Sequence, residues 1–85
     1  MHISKTEPLA YKLTIDENTI DVYLKDGRVI SVPTLWYPSL LNATQQQREN
    51  FEILGDGEGF HWSDLDEDLS VQGFLDGISL EKNVA

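Results

Sequence analysis

The residues best equipped for chemistry lie between Phe60 and Ser70. His61 sits between Phe60 and Trp62, and Asp64, Asp66, Glu67 and Asp68 follow closely. A histidine beside carboxylates can move protons, and Ser63 or Ser70 would then be the available nucleophile. Nothing in the spacing sets the elbow, base and oxyanion geometry that such a site needs. The second histidine, His2, belongs to a start expected to be mobile. The expectation is therefore a non-enzyme with no cofactor, in which His61 has a structural or half-exposed role.

Acids at alternate positions also raise the question of a hard cation. Counted as a calcium loop from Asp64, the string puts Leu69 where the sharp turn needs glycine, and Leu75 where the bidentate glutamate belongs. A metal-dependent accessory protein using His61 and the Asp64–Asp68 acids is kept only as an alternative. The plain expectation is a solvated acidic connection whose carboxylates favour the start of a following helix. Gly55-Asp56-Gly57-Glu58-Gly59 has the glycine content of a phosphate loop. It lacks the Lys-Ser/Thr pair, an aromatic strand follows instead of a helix, and its two acids repel phosphate. It reads as a hairpin turn.

Binding has better material than catalysis. The formal net charge is −9 over 85 residues. From Met1 to Arg48 five acids balance five bases, whereas from Glu49 to Ala85 ten acids face one base, Lys82. Such a surface repels nucleic-acid backbones and favours a basic partner. A large net charge also simply keeps a small protein soluble. Adjacent aromatics, Trp36-Tyr37 and Phe60-His61-Trp62, cannot all point inward. The candidate partner-binding residues are Trp36, Tyr37, His61, Trp62, Asp64, Asp66, Glu67 and Asp68. The competing expectation for both tryptophans is the core, since a small domain fills volume with its largest side chains.

The elements that must position these residues follow from periodicity. Leu9, Tyr11, Leu13 and Ile15 alternate, as do Ile20, Val22 and Leu24. A turn at Glu17-Asn18 sets Ile15 opposite Ile20, Leu13 opposite Val22 and Tyr11 opposite Leu24. A three-residue loop, Lys25-Asp26-Gly27, then pairs Val22 with Ile30 and Ile20 with Val32, with Gly27 left-handed in a bulge. Pro33 ends this third strand. Thr34–Leu41 reads as one or two helical turns, with Leu35, Trp36, Leu40 and Leu41 covering the sheet. Thr44 and Gln47 form a capping box for a second short helix. Phe51–Leu54 and Phe60–Trp62 read as a short hairpin and Ser63–Asp68 as a connection. A last helix is capped by Ser70 and stopped by Gly77, with Phe74, Leu75 and Ile78 docked on the core.

Several strings in this sequence resemble one bacterial family. They are Asp26-Gly27-Arg28-Val29-Ile30-Ser31-Val32-Pro33, Leu35-Trp36-Tyr37-Pro38-Ser39-Leu40-Leu41-Asn42-Ala43-Thr44, Arg48-Glu49-Asn50-Phe51, and Gly55-Asp56-Gly57-Glu58-Gly59-Phe60-His61-Trp62 followed by Asp64-Leu65-Asp66-Glu67-Asp68-Leu69-Ser70-Val71. The family is catalogued as domain of unknown function 2442, and the resemblance runs from about Ile20 to Gly77. It implies a small α+β fold of antiparallel sheet and short helices, and an antitoxin-type role beside the product of an adjacent gene. It carries over no catalytic residue.

Together these observations predict one α+β domain, ordered over about residues 9–79 with frayed ends. A three-stranded N-terminal meander and a short C-terminal hairpin pack with two or three short helices. There is no cysteine, so disulfides and thiolate metal sites are excluded. No apolar run approaches the roughly 18–20 residues of a membrane span, nor does the start resemble a signal peptide, so the expected compartment is the cytoplasm. The expected function is a non-enzymatic, acidic, antitoxin-like interaction module that binds a small basic protein, without direct nucleic-acid or membrane binding. Exposed strand edges also admit a homodimer. The alternative is an acidic mimic of nucleic acid that blocks a DNA- or RNA-binding enzyme.

Overall fold

The computed structural model describes residues 8–77. The expected fraying of both ends and the expected docking of Ile78 lie outside the described residues. In chain order the elements are β1 (Ala10–Ile15), β2 (Thr19–Leu24), β3 (Val29–Pro33), a 3₁₀ turn (Thr34–Trp36), α1 (Pro38–Leu41), α2 (Gln45–Glu49), β4 (Glu52–Leu54), β5 (Gly59–Trp62), a second 3₁₀ turn (Ser63–Leu65), β6 (Glu67–Ser70) and α3 (Val71–Asp76). The strands form two three-stranded antiparallel sheets, β1-β2-β3 and β4-β5-β6. The α+β class is as expected.

Apolar alternation sets the first sheet. Ile15 faces Ile20 and Leu13 faces Val22. On the other side of β2, Val22 faces Ile30 and Ile20 faces Val32. Asp16 closes the first turn by accepting the Asn18 and Thr19 amides at 2.7 and 2.9 Å. These bonds stabilise the ionised carboxylate and lower its pKa. The second turn has the expected three residues. Leu24 N donates to Arg28 O at 2.8 Å, and Gly27 takes a φ of 101°.

Three expectations fail locally. A bulge between Ala10 and Lys12 puts Ala10, not Tyr11, opposite Leu24, so Tyr11 turns outward. Leu35 is 68% exposed, because the 3₁₀ turn points it away from the sheet while Leu40 of α1 takes the buried place. Leu75 is likewise exposed, and Val71 and Phe74 are the buried residues of α3. The two helix caps are present as predicted. Thr44 and Gln47 complete the capping box of α2. Ser70 accepts the Gly73 amide at 2.9 Å to cap α3.

The second sheet has one strand more than expected. Glu67–Ser70 forms β6 rather than a connection, pairing Phe60 with Leu69 and His61 with Asp68. The chain reverses at Asp66, whose φ of 54° is left-handed. Aspartate tolerates that region better than most residues. Along β6, Glu67 and Leu69 are half-buried while Asp68 and Ser70 are exposed, so the acidic string alternates across a sheet.

One loop joins the parts. Asp56 O accepts from Lys25 Nζ at 2.9 Å, at the β2–β3 turn. Gly57 O accepts from Ala10 N and Glu58 O from Val71 N, both at 2.8 Å. Three successive carbonyls thus reach the first sheet's hairpin, its edge strand and the first residue of α3. Gly57 allows the approach. Its φ is 115°, and a Cβ there would lie 2.8 Å from Ala10 N and closer still to Ala10 O. One core cluster spans both sheets, with Ile20, Val22, Leu40, Phe60, Trp62 and Val71 fully buried.

The contrast with Gly27 is open to measurement. Both glycines have positive φ, but a Cβ at Gly27 would meet nothing within 4 Å. Gly27→Ala is expected to cost about 1–2 kcal/mol in urea unfolding, the cost of a left-handed residue with a side chain. Gly57→Ala is expected to cost about 2–4 kcal/mol, because it also forces the loop off β1. Equal costs would mean that the loop is not wedged against β1.

Candidate functional site

Alternation along β5 sorts the candidate residues onto two faces. Phe60 and Trp62 point into the core, where Phe51 meets both rings at 5.5 and 5.6 Å between centroids. Trp62 is 0% exposed. It therefore cannot contact a partner, which corrects its place among the binding candidates. In a four-residue strand with Phe60 inside, period two places Trp62 inside as well. Its indole N–H donates to Arg48 O at 2.8 Å, so the buried donor is satisfied.

His61, between them, faces outward. It lies opposite Glu52 on β4 and Asp68 on β6, so the three side chains share the outer face of the sheet. His61 Nδ1 and Asp68 Oδ1 are hydrogen-bonded. A carboxylate only accepts, so Nδ1 carries the proton. This bond raises the pKa of His61 above 6.5. Desolvation opposes the rise, and the charges of Asp68, Glu52 and Asp66 add to it. The outer face is a negative field with one titratable cation at its centre.

The remaining acids disperse. Asp64 Oδ2 accepts from Asn50 Nδ2 at 3.2 Å, on the rim of a polar hollow of about 680 Å³ beside α2. Glu67 turns to the inner side and accepts from Ser39 Oγ at 2.7 Å. Asp66 occupies the left-handed turn. Glu67 and Asp68 thus leave opposite faces of one strand. Among the described residues no three His, Asp or Glu side chains converge as a metal ion would need, so the metal-accessory alternative gains no support.

Trp36 and Tyr37 stand elsewhere, against α3. Trp36 is 37% exposed and its ring lies over Gly77. Tyr37 is half-buried and meets Phe74 edge-on at 5.8 Å. Burial raises the Tyr37 pKa, and the charge of Glu67 adds to the shift. The structure brings His61 and Asp68 together, with Asp66 near, and sets Trp36 and Tyr37 apart from them.

Arg48 was not among the expected key residues, yet its side chain ties α2 to the end of α1 while its backbone carbonyl accepts the Trp62 indole of β5. It is 7% exposed. Its Nε donates to Leu40 O and an Nη to Leu41 O, both at 2.9 Å, and the other Nη donates to Gln45 Oε1 at 3.0 Å. The guanidinium satisfies carbonyls at the end of α1, a role that suits a planar fork. The available signal was its isolation, since Arg48 is the last base before Lys82.

The fold and the face define a small two-sheet α+β domain with an acidic outer surface. The chain belongs to the family described as Protein of unknown function (DUF2442), whose profile matches residues 11–79. The match takes in β1, before the point where the distinctive strings begin. A crystal structure of a protein of unknown function from Rhodospirillum rubrum is similar, with 37% identity and a TM-score of 0.74, covering 86% of this chain and 90% of that one. The solution structure of an uncharacterized protein from Chromobacterium violaceum shares the fold at 22% identity, with a TM-score of 0.67 over 91% of this chain and 78% of that one. No curated protein matches significantly.

Two measurements check this geometry. In an NMR titration the assigned His61 resonance should have its midpoint above 6.5, and Asp68→Asn should bring it down. The sign for stability follows from linkage. The pair contributes fully below the ordinary histidine pKa, and its contribution is lost as pH rises through the raised folded-state value. Arg48→Ala should cost about 2–4 kcal/mol in urea unfolding, since it removes three hydrogen bonds of a buried guanidinium and takes from the Leu41 carbonyl its donor. Arg48→Lys should recover only part, because an ammonium cannot span the Leu40 and Leu41 carbonyls as a fork does.

Proposed function

We propose that this chain is a non-enzymatic interaction module of the antitoxin type, which binds a small basic protein through the outer face of its second sheet. The observation that carries the proposal is the placing of Glu52 and Asp68 on either side of His61 on one exposed face, with Asp66 at the adjoining turn, in the part of the chain where ten acids face one base. Opposite charge steers association and selects the partner more than it supplies raw affinity. The non-enzymatic part is supported by the use of Ser70, one of the two hydroxyls weighed as a nucleophile, whose Oγ accepts the Gly73 amide as the cap of α3. No helix among the described residues is long and apolar enough to cross a membrane.

The nucleic-acid mimic is the weaker alternative. A mimic needs carboxylates in a phosphate-like row, whereas Asp64, Glu67 and Asp68 bond to Asn50, Ser39 and His61 in different directions. A homodimer through this face would set like charges against each other.

The test is affinity purification with the full chain from its own host at low salt, directed first at the product of an adjacent gene. A basic protein should be retained, released by raised salt, and lost with the combined variant Glu52→Gln, Asp66→Asn, Asp68→Asn. Retention of no basic protein, or retention indifferent to these changes, overturns the proposal. Growth arrest by the partner alone, relieved by co-expression, is the outcome expected for an antitoxin. A harmless partner removes that part.

A further inference from the structure

The outer face of the second sheet carries a dent of about 330 Å³, lined by Leu54, Glu58, Gly59, Asp68, Leu69 and Ser70. Leu54, Gly59 and Ser70 stand side by side on β4, β5 and β6. Gly59 brings no side chain to the middle of that row. The strands are also close here, since a Cβ at Gly59 would lie 2.7 Å from Leu69 O. Leu54 forms an apolar wall and is itself part-exposed. Two carboxylates stand at the edge. Asp68 is one row away beside His61, and Glu58 lies at the loop end of β5, where its Oε1 accepts the Asp56 amide at 2.9 Å.

We infer that this dent is the receptacle for a single arginine or lysine side chain of the partner, with its aliphatic stem against Leu54 and Gly59 and its charged head between Glu58 and Asp68. The size suits one long side chain, being at the lower end of small-molecule pockets. The lining suits an amphipathic group. Long basic side chains bury their stem along apolar surface and keep the charged head among polar groups. A purely apolar side chain would strip water from both carboxylates without compensation. An acidic one would meet like charge. Both carboxylates have free acceptor capacity, because Glu58 uses Oε1 and Asp68 uses Oδ1 in the bonds described. Guanidinium fits better than ammonium, since its planar fork pairs with a carboxylate through two N–H groups. This inference rests on the proposed interaction role and names the part of the face that recognises the partner.

The probes are blocked single amino acids titrated into the ¹⁵N-labelled full chain at low salt. N-acetyl-arginine amide should shift the Leu54, Gly59 and Ser70 amides along saturable curves. N-acetyl-citrulline amide, neutral and nearly isosteric, should bind at least about threefold more weakly, in keeping with the modest value of an exposed charge pair. N-acetyl-norleucine amide should also be weaker. Glu58→Gln and Asp68→Asn, each keeping shape and an acceptor oxygen, should each lower arginine affinity about threefold while leaving the unfolding midpoint nearly unchanged at a pH above the raised His61 pKa, where the His61–Asp68 pair no longer contributes. Equal binding of arginine and citrulline, shifts spread over all acidic surfaces, or indifference to both variants overturns the inference. A basic partner that still binds Glu58→Gln/Asp68→Asn as tightly as the wild type would overturn the receptacle and leave the interaction role standing.

Discussion

The architecture depends on one close approach, the Gly57 backbone against Ala10. Each sheet alone has three short strands, a size at which independent stability needs something packed on its apolar face. The Asp56–Glu58 loop supplies the join with consecutive carbonyls aimed at Lys25, Ala10 and Val71. Only a residue without Cβ, at positive φ, brings the middle carbonyl to β1. Once that contact forms, the first sheet's apolar face and the Phe60–Trp62 face share one core, and α3 starts at a fixed point.

The same constraint decides what the surface presents. With Phe60 and Trp62 committed to the interior, His61 must point out, and the pairing of β5 with β4 and β6 sets Glu52 and Asp68 beside it. Core and surface are two outcomes of one alternation. Arg48 reinforces it from within, as its backbone carbonyl holds the Trp62 indole while its guanidinium holds the end of α1. Two of the acids, Glu52 and Asp68, meet on the outer face through this geometry, and others do not. Glu67 serves the interior by holding Ser39, and Asp64 belongs to a separate polar rim.

Much of the fold was legible because local rules and global packing agree. The parity of Ile15, Ile20, Val22, Ile30 and Val32 allowed one register, and the caps at Thr44 and Ser70 are short-range chemistry. The misses share a cause in tertiary contact. Tyr11 alternates correctly in sequence, but a bulge shifts the register at the β1 end where Ala10 meets Gly57. The string Glu67-Asp68-Leu69-Ser70 has poor strand propensity, and only its pairing with β5 makes it a strand. Leu35 and Leu75 look like core by type, yet the interior is already filled by Leu40 and Phe74. Of the candidate site, His61 and Asp68 meet as a pair, while Trp62 was misplaced because its aromatic character outweighed its parity with Phe60.

Membership in the DUF2442 family fixes the lineage of the fold and assigns no partner. The central claim is that recognition uses the outer face of β4, β5 and β6. Its most direct test is an amide chemical-shift map of the ¹⁵N-labelled chain with the proposed basic partner, the product of an adjacent gene. The account predicts that the changes gather at Glu52, Gly59, His61, Asp68 and Ser70. A footprint on the exposed side of β1, β2 and β3, around Lys12 and Tyr23, would contradict it.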